Sequence, residues 1–134
     1  MANALYDPGR EGFLAATIDW DLDDIRVMLV KTGYTYVASH QYLTSVSTTY
    51  DNGRTAALGT KTTTNGVANA AATSLVATSA VACDALVIYK YNASDAAAQL
   101  IAYINIATGL PFTPAVSQTV NITWDTGTNK IFKL

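Results

Sequence analysis

Charge is scarce in this chain. Asp, Glu, Lys and Arg make up 13% of its 134 residues, against about 25% in typical soluble domains. The formal net charge is −2 and the isoelectric point about 5.0, and Lys and Arg form no run. A protein that grips phosphate backbones needs a basic patch, so direct nucleic-acid binding is excluded as an expectation. Cys83 is the single cysteine, which rules out an internal disulfide and any cysteine-based metal cluster. Its neighbours Val81, Ala82, Ala85 and Leu86 point to a small buried thiol. No stretch approaches the roughly 18 apolar residues of a membrane span. Residues 1–8 carry neither a basic nor an apolar leader region, so no secretory signal is expected. The chain is expected to be made and kept in a cytosol, or in something assembled there.

Hydrophobic residues, by contrast, reach 50%. The length suits one domain with one core. With few charges to cover it, the surface falls to Thr, Ser, Ala and Asn. Few groups there would resist desolvation, and such a surface is suited to packing against neighbours. The composition leans toward an assembly subunit.

The most apolar run spans residues 85–91, with β-branched Val87 and Ile88 and aromatic Tyr89 and Tyr91, which suit a well-packed strand. After the turn-forming Asn92, Ala93, Ser94 and Asp95, residues 99–105 repeat that character, and the pair reads as a central antiparallel hairpin. Ala96, Ala97 and Ala98 could propagate a helix, but Ile101, Tyr103 and Ile104 favour the strand. Residues 25–30 read as a strand closed by Lys31, Thr32 and Gly33. Tyr34 and Tyr36 continue an extended segment. Ser39 is placed to cap a short helix from His40 to Leu43 or Val46, followed by a loop over residues 48–53.

Residues 1–24 read as an extended N-terminal arm. Pro8-Gly9 signals a tight turn, and Ile18, Trp20 and Leu22 alternate with aspartates as in a strand with one wet face. Tyr6, Phe13 and Trp20 are large anchors on a segment with little core of its own, and they form a candidate inter-subunit clamp. From 54 to 81 the composition turns to Ala, Thr, Ser and Asn. Asn65-Gly66 predicts a type I′ hairpin there. Strands of such small residues need an outer position or a partner from another chain, and Ala70 and Ala72 are candidate interface residues. Residues 120–124 and 130–134 read as a second hairpin, with Val120, Ile122 and Trp124 on one face. The expected fold is mainly β. It is an antiparallel β-sandwich or barrel over 25–134, preceded by the arm 1–24, with at most one or two short helices.

Asp19, Asp21, Asp23 and Asp24 begin like a calcium loop. The position that needs Gly holds Asp24, however, and the closing Glu is replaced by Val30. Solvated aspartates are the better reading, and no metal or cofactor is expected. His40 is the lone histidine, and a structural or interfacial role is expected for it over a catalytic one. No nucleophile elbow, phosphate loop or His-Glu-x-x-His motif occurs. Asn92-Ala93-Ser94 and Asn121-Ile122-Thr123 match the glycosylation pattern, which means nothing without a secretory route. The eight tyrosines suit core and rim positions better than a carbohydrate groove.

The opening Tyr6-Asp7-Pro8-Gly9-Arg10-Glu11-Gly12-Phe13-Leu14, with Ile18-Asp19-Trp20-Asp21 and residues 24–30, resembles small structural proteins of tailed bacteriophages. The central Ala85-Leu86-Val87-Ile88-Tyr89-Lys90, Leu100-Ile101-Ala102-Tyr103-Ile104 and Thr108-Gly109-Leu110-Pro111 fit the same pattern. So does the ending Trp124-Asp125, Gly127 and Asn129-Lys130-Ile131-Phe132. The resemblance implies a non-enzymatic virion protein, best suited to capsid decoration (a cement protein) on the outer surface. Its implied partners are the major capsid protein and copies of itself, as a trimer or cluster at threefold or quasi-threefold sites. A small tail or neck component, or a receptor- or glycan-binding module, is the alternative.

Overall fold

The computed structural model describes residues 3–134. A five-stranded antiparallel sheet lies at its centre, built from β1 (Ala4–Leu5), β2 (Ile25–Lys31), β3 (Asp51–Arg54), β6 (Cys83–Lys90) and β7 (Gln99–Ile104) in the order β1-β7-β6-β2-β3. Two ribbons complete the strands. β5 (Thr73–Val76) pairs with β8 (Thr119–Ile122), and β4 (Val67–Ala68) pairs with β9 (Phe132–Lys133). The helices are short: α1 (Asp7–Leu14) and α2 (Thr44–Tyr50). The fold is mainly β with antiparallel sheets, as the turn spacing indicates.

β2 and β6 carry almost unbroken apolar runs because both faces of the sheet are covered. Ile25, Val27, Leu29, Leu86 and Ile88 face a core closed by Trp20, Leu58, Leu75 and Ile122. Met28, Val30, Ala85, Val87 and Tyr89 face a second core closed by Tyr6, Tyr34, Leu43 and Val46. The β6–β7 hairpin forms as read, with Val87 opposite Tyr103 and Ile88 opposite Ala102. The ladder shifts register after Ile88, so that Ile101 and Ala102 both reach the first core.

The N-terminal segment departs from the arm reading. Tyr6 and Trp20 are buried in the two cores of their own chain, and Phe13 packs against the first. Pro8-Gly9 opens a helix instead of a tight turn. Pro8 needs no N–H in the first turn, and Asp7 sits at the favourable end of the helix dipole. Gly9 is there for close approach, since a Cβ would lie 2.8 Å from the carbonyl oxygen of Leu100. Ala16, at φ 59°, ends the helix in the left-handed region. Residues 18–24 form no strand but a turn, in which Asp19 Oδ1 accepts hydrogen bonds from the Asp21 and Leu22 N–H groups. A division at residue 24 thus crosses continuous packing.

Three further readings are corrected. The helix after His40 starts later, at Thr44, and takes up the first half of the expected 48–53 loop, while β3 takes the second. Asn65 and Gly66 do take positive φ in a turn that brings Thr62 opposite Asn69, but Val67 and Ala68 then pair with β9. The C-terminal hairpin does not form, because β8 runs with β5 and β9 with β4. Two strands close together in sequence each paired with an earlier strand, a choice that local spacing cannot reveal.

Candidate functional site

The acidic cluster is dispersed into local structure. Asp19 caps its own turn, Asp23 Oδ2 accepts from the Asp19 N–H at 2.7 Å and lies 3.0 Å from Lys90 Nζ. Asp24 takes two 2.8 Å hydrogen bonds from Arg26, and this pairing holds its carboxyl below the usual range. Among the described residues no group of three His, Cys, Asp or Glu side chains is placed to hold a metal ion.

His40 lies in a line of hydroxyls. The Tyr34 hydroxyl is 2.9 Å from His40 Nδ1 and 3.0 Å from the Tyr6 hydroxyl. Burial pushes both phenols up, so they are neutral hydrogen-bonding groups that hold the 34–43 segment to the sheet. Tyr36 adds a 2.7 Å bond to the Leu5 carbonyl. Cys83 is buried as expected. Its Sγ accepts from Asn52 Nδ2 at 3.1 Å and donates to the Val81 carbonyl, and burial raises its thiol.

Two polar centres were not legible beforehand. Asn52 is wholly buried. Its Nδ2 donates to the Ser79 carbonyl and to Cys83 Sγ, while its Oδ1 accepts from Thr78 Oγ1, Ser79 N and Ser79 Oγ. Arg54 forms a bidentate pair with Asp95. A lone Asn inside Asp51-Asn52-Gly53 looks like a loop end, and only the tertiary fold brings residues 78–83 around it.

One cleft of about 270 Å³ lies beside Phe13, Trp20 and Phe132, and a broader concave surface lies at the end of the sheet where β7 gives way to the 105–112 loop. A cleft of about 520 Å³ is lined by Leu86, Ile104, Ile106, Ile122, Trp124 and Ile131 among others, with Asp125 and Lys130 as its charged groups. A cleft of about 280 Å³ adjoins it through Leu86 and Ile122, and one of about 320 Å³ through Ile104 and Ile131. Asn3 braces the wall. Its Oδ1 accepts from the Asn105 and Ile106 N–H groups, 2.9 Å each, and its Nδ2 donates to the Ile106 carbonyl. This trough offers contact surface of mixed polar and apolar character.

The candidate interface residues divide. Tyr6, Trp20 and Ala70 are buried within the chain, because each fills a core that the sheet and ribbons create. Phe13 is half-buried beside Phe132, and Ala72 is exposed. The large apolar side chains left outside include Leu14 at 89% exposure, Leu22 at 84% and Ile106 at 63%. No family model matches the chain, and no curated protein or solved structure is significantly similar to it.

Proposed function

We propose that the protein is a non-enzymatic structural subunit of a tailed-phage virion, a decoration protein that sits on the capsid's outer surface and bridges capsomers. The observation that carries this reading is the kind of surface the fold presents. It combines few charges with exposed leucines and a trough of mixed polar and apolar lining that has contact area. A surface short of charge has few groups that resist desolvation when it meets another protein. The partners are the major capsid protein and further copies of this chain, gathered as a trimer or cluster about threefold or quasi-threefold sites. With Tyr6, Trp20 and Ala70 inside the core, the contact falls to Leu14, Leu22, Ala72 and Ile106.

The test is a stained gel of purified particles, with this band compared to the major capsid protein. Capsid-like stoichiometry supports decoration. A faint band at tail stoichiometry moves the protein to the tail or neck, and absence from the particles overturns the virion reading.

A further inference from the structure

Two Asn-Gly pairs occur in the chain, Asn52-Gly53 and Asn65-Gly66, and the fold treats them oppositely. Asn65 and Gly66 stand exposed at the tip of a turn, with φ of 58° and 74°. The Gly66 N–H is tied by a 3.1 Å bond to the Thr63 carbonyl. The Asn52 side chain is enclosed and takes part in five hydrogen bonds. Gly53 is buried too, its N–H bonded to Asp51 Oδ1 at 2.9 Å.

We propose that Asn65 is a site of spontaneous deamidation and that the fold protects Asn52 from the same reaction. The Gly66 backbone nitrogen attacks Asn65 Cγ and loses its proton. A nitrogen–carbon bond closes a five-membered succinimide, and the side-chain amide leaves as ammonia. Water then opens the ring at either carbonyl, giving aspartate or its isomer with the backbone routed through the side chain. One water enters and one ammonia leaves, with no oxidation or reduction. The reacting groups belong to adjacent residues, so the step is intramolecular. An exposed turn can release the Gly66 N–H from the Thr63 carbonyl, and Gly66 has no side chain to obstruct the attack. At Asn52 the amide must first abandon its buried partners, each costly to leave unpaired. The new carboxylate adds one negative charge beside the C-terminal anchor, where the Leu134 N–H donates to the Gly66 carbonyl at 3.0 Å.

Trypsin separates the two sites, since Asn52 falls in fragment 32–54 and Asn65 in fragment 62–90. After incubation of the folded protein in mildly alkaline buffer, fragment 62–90 is expected to gain the mass of an amide-to-acid conversion, located to residue 65 by tandem fragmentation. Fragment 32–54 is expected to stay unchanged. In denaturant both fragments should convert. Asn65→Gln, which cannot close a five-membered ring, should abolish the gain in 62–90. Conversion at Asn52 in the folded protein as fast as at Asn65, no conversion at Asn65, a gain in 62–90 that survives Asn65→Gln, or an Asn52 that resists in denaturant overturns the proposal.

Discussion

Arg54 holds Asp95 through two parallel 2.7 Å hydrogen bonds across 41 residues of sequence. Its Nε also donates to Asp51 Oδ2 at 2.9 Å. One guanidinium thereby ties the outer strand β3 to the turn between β6 and β7. The hydrogen bonds from Arg54 lower the Asp95 carboxyl. A lowered carboxylate contributes stability that is complete above its unfolded value of about 4 and fades as pH falls through the lower folded value. Asp95→Asn should therefore cost about 1 kcal/mol at neutral pH, a figure kept small by partial exposure. The same variant should lose less stability than wild type between pH 4 and strongly acidic conditions. Urea melts across that range measure both.

The tyrosines give the opposite sign. Burial raises Tyr6, Tyr34, Tyr89 and Tyr103. A raised acid is stabilising below its unfolded value of about 10, and that contribution is lost as pH rises through the folded value. The phenolate absorbance of these buried rings should appear above the range of a free phenol and together with loss of circular dichroism. A single smooth titration with the fold intact would contradict the buried placement.

Gly9 and Gly59 make a matched pair. A methyl at Gly9 meets the Leu100 carbonyl and the Ile101 backbone, whereas nothing lies within 4 Å of one at Gly59. Gly9→Ala should lift α1 from β7 and destabilise the protein by about 1–3 kcal/mol. Gly59→Ala should be neutral or slightly stabilising, through the unfolded chain. Denaturation midpoints decide, and equal effects would remove the close-approach account of Gly9.

What the sequence disclosed was what local pattern encodes. The strands around Val27, Val87 and Ile101 follow from apolar runs between turn residues, and the turn at Asn65-Gly66 from the need for positive φ. Long-range choices escaped it. Val120 and Ile122 gave the right buried face and the wrong partner, because small-residue β5 offers no pattern stronger than that of residues 130–134. Pro8-Gly9 looked like a turn because only the packed sheet shows why a helix there needs glycine. Tyr6 and Trp20 are legible as anchors, but sequence does not say whether an anchor docks on its own chain or on another. The trough is formed by residues from β6, β7, β8 and the last loop, and no local spacing announces it.

Asn52 tests how much a single buried amide organises. Asn52→Leu keeps the branching and the number of heavy atoms, with bulkier methyl groups, but removes the acceptor for Thr78 and Ser79 and the donor to the Ser79 carbonyl. Leaving several buried groups unpaired should cost on the order of 3 kcal/mol. Hydrogen exchange should show the 77–83 segment opening ahead of the central sheet. Uniform destabilisation with no local change there would make Asn52 an ordinary core residue.

The last prediction separates core anchors from contact residues. Trp20 is almost fully buried, stacks edge-on to Phe132 at 5.3 Å between ring centroids, and donates from Nε1 to the Asn69 carbonyl. Trp20→Ala should cost about 3–5 kcal/mol, the range for deleting a large aromatic from a core. Leu14 and Leu22 are 89% and 84% exposed, so Leu14→Ser with Leu22→Ser should leave stability within about 0.5 kcal/mol per site. Under the proposed role the two variants part again on particles. The leucine double variant should melt like wild type yet occupy the capsid poorly, because it loses apolar contact area with its neighbours. Trp20→Ala should bind normally at temperatures where it remains folded. Full occupancy by the leucine variant would move the contact surface away from the α1 end and toward the Ile106 trough, where Ile106→Asp is the corresponding substitution.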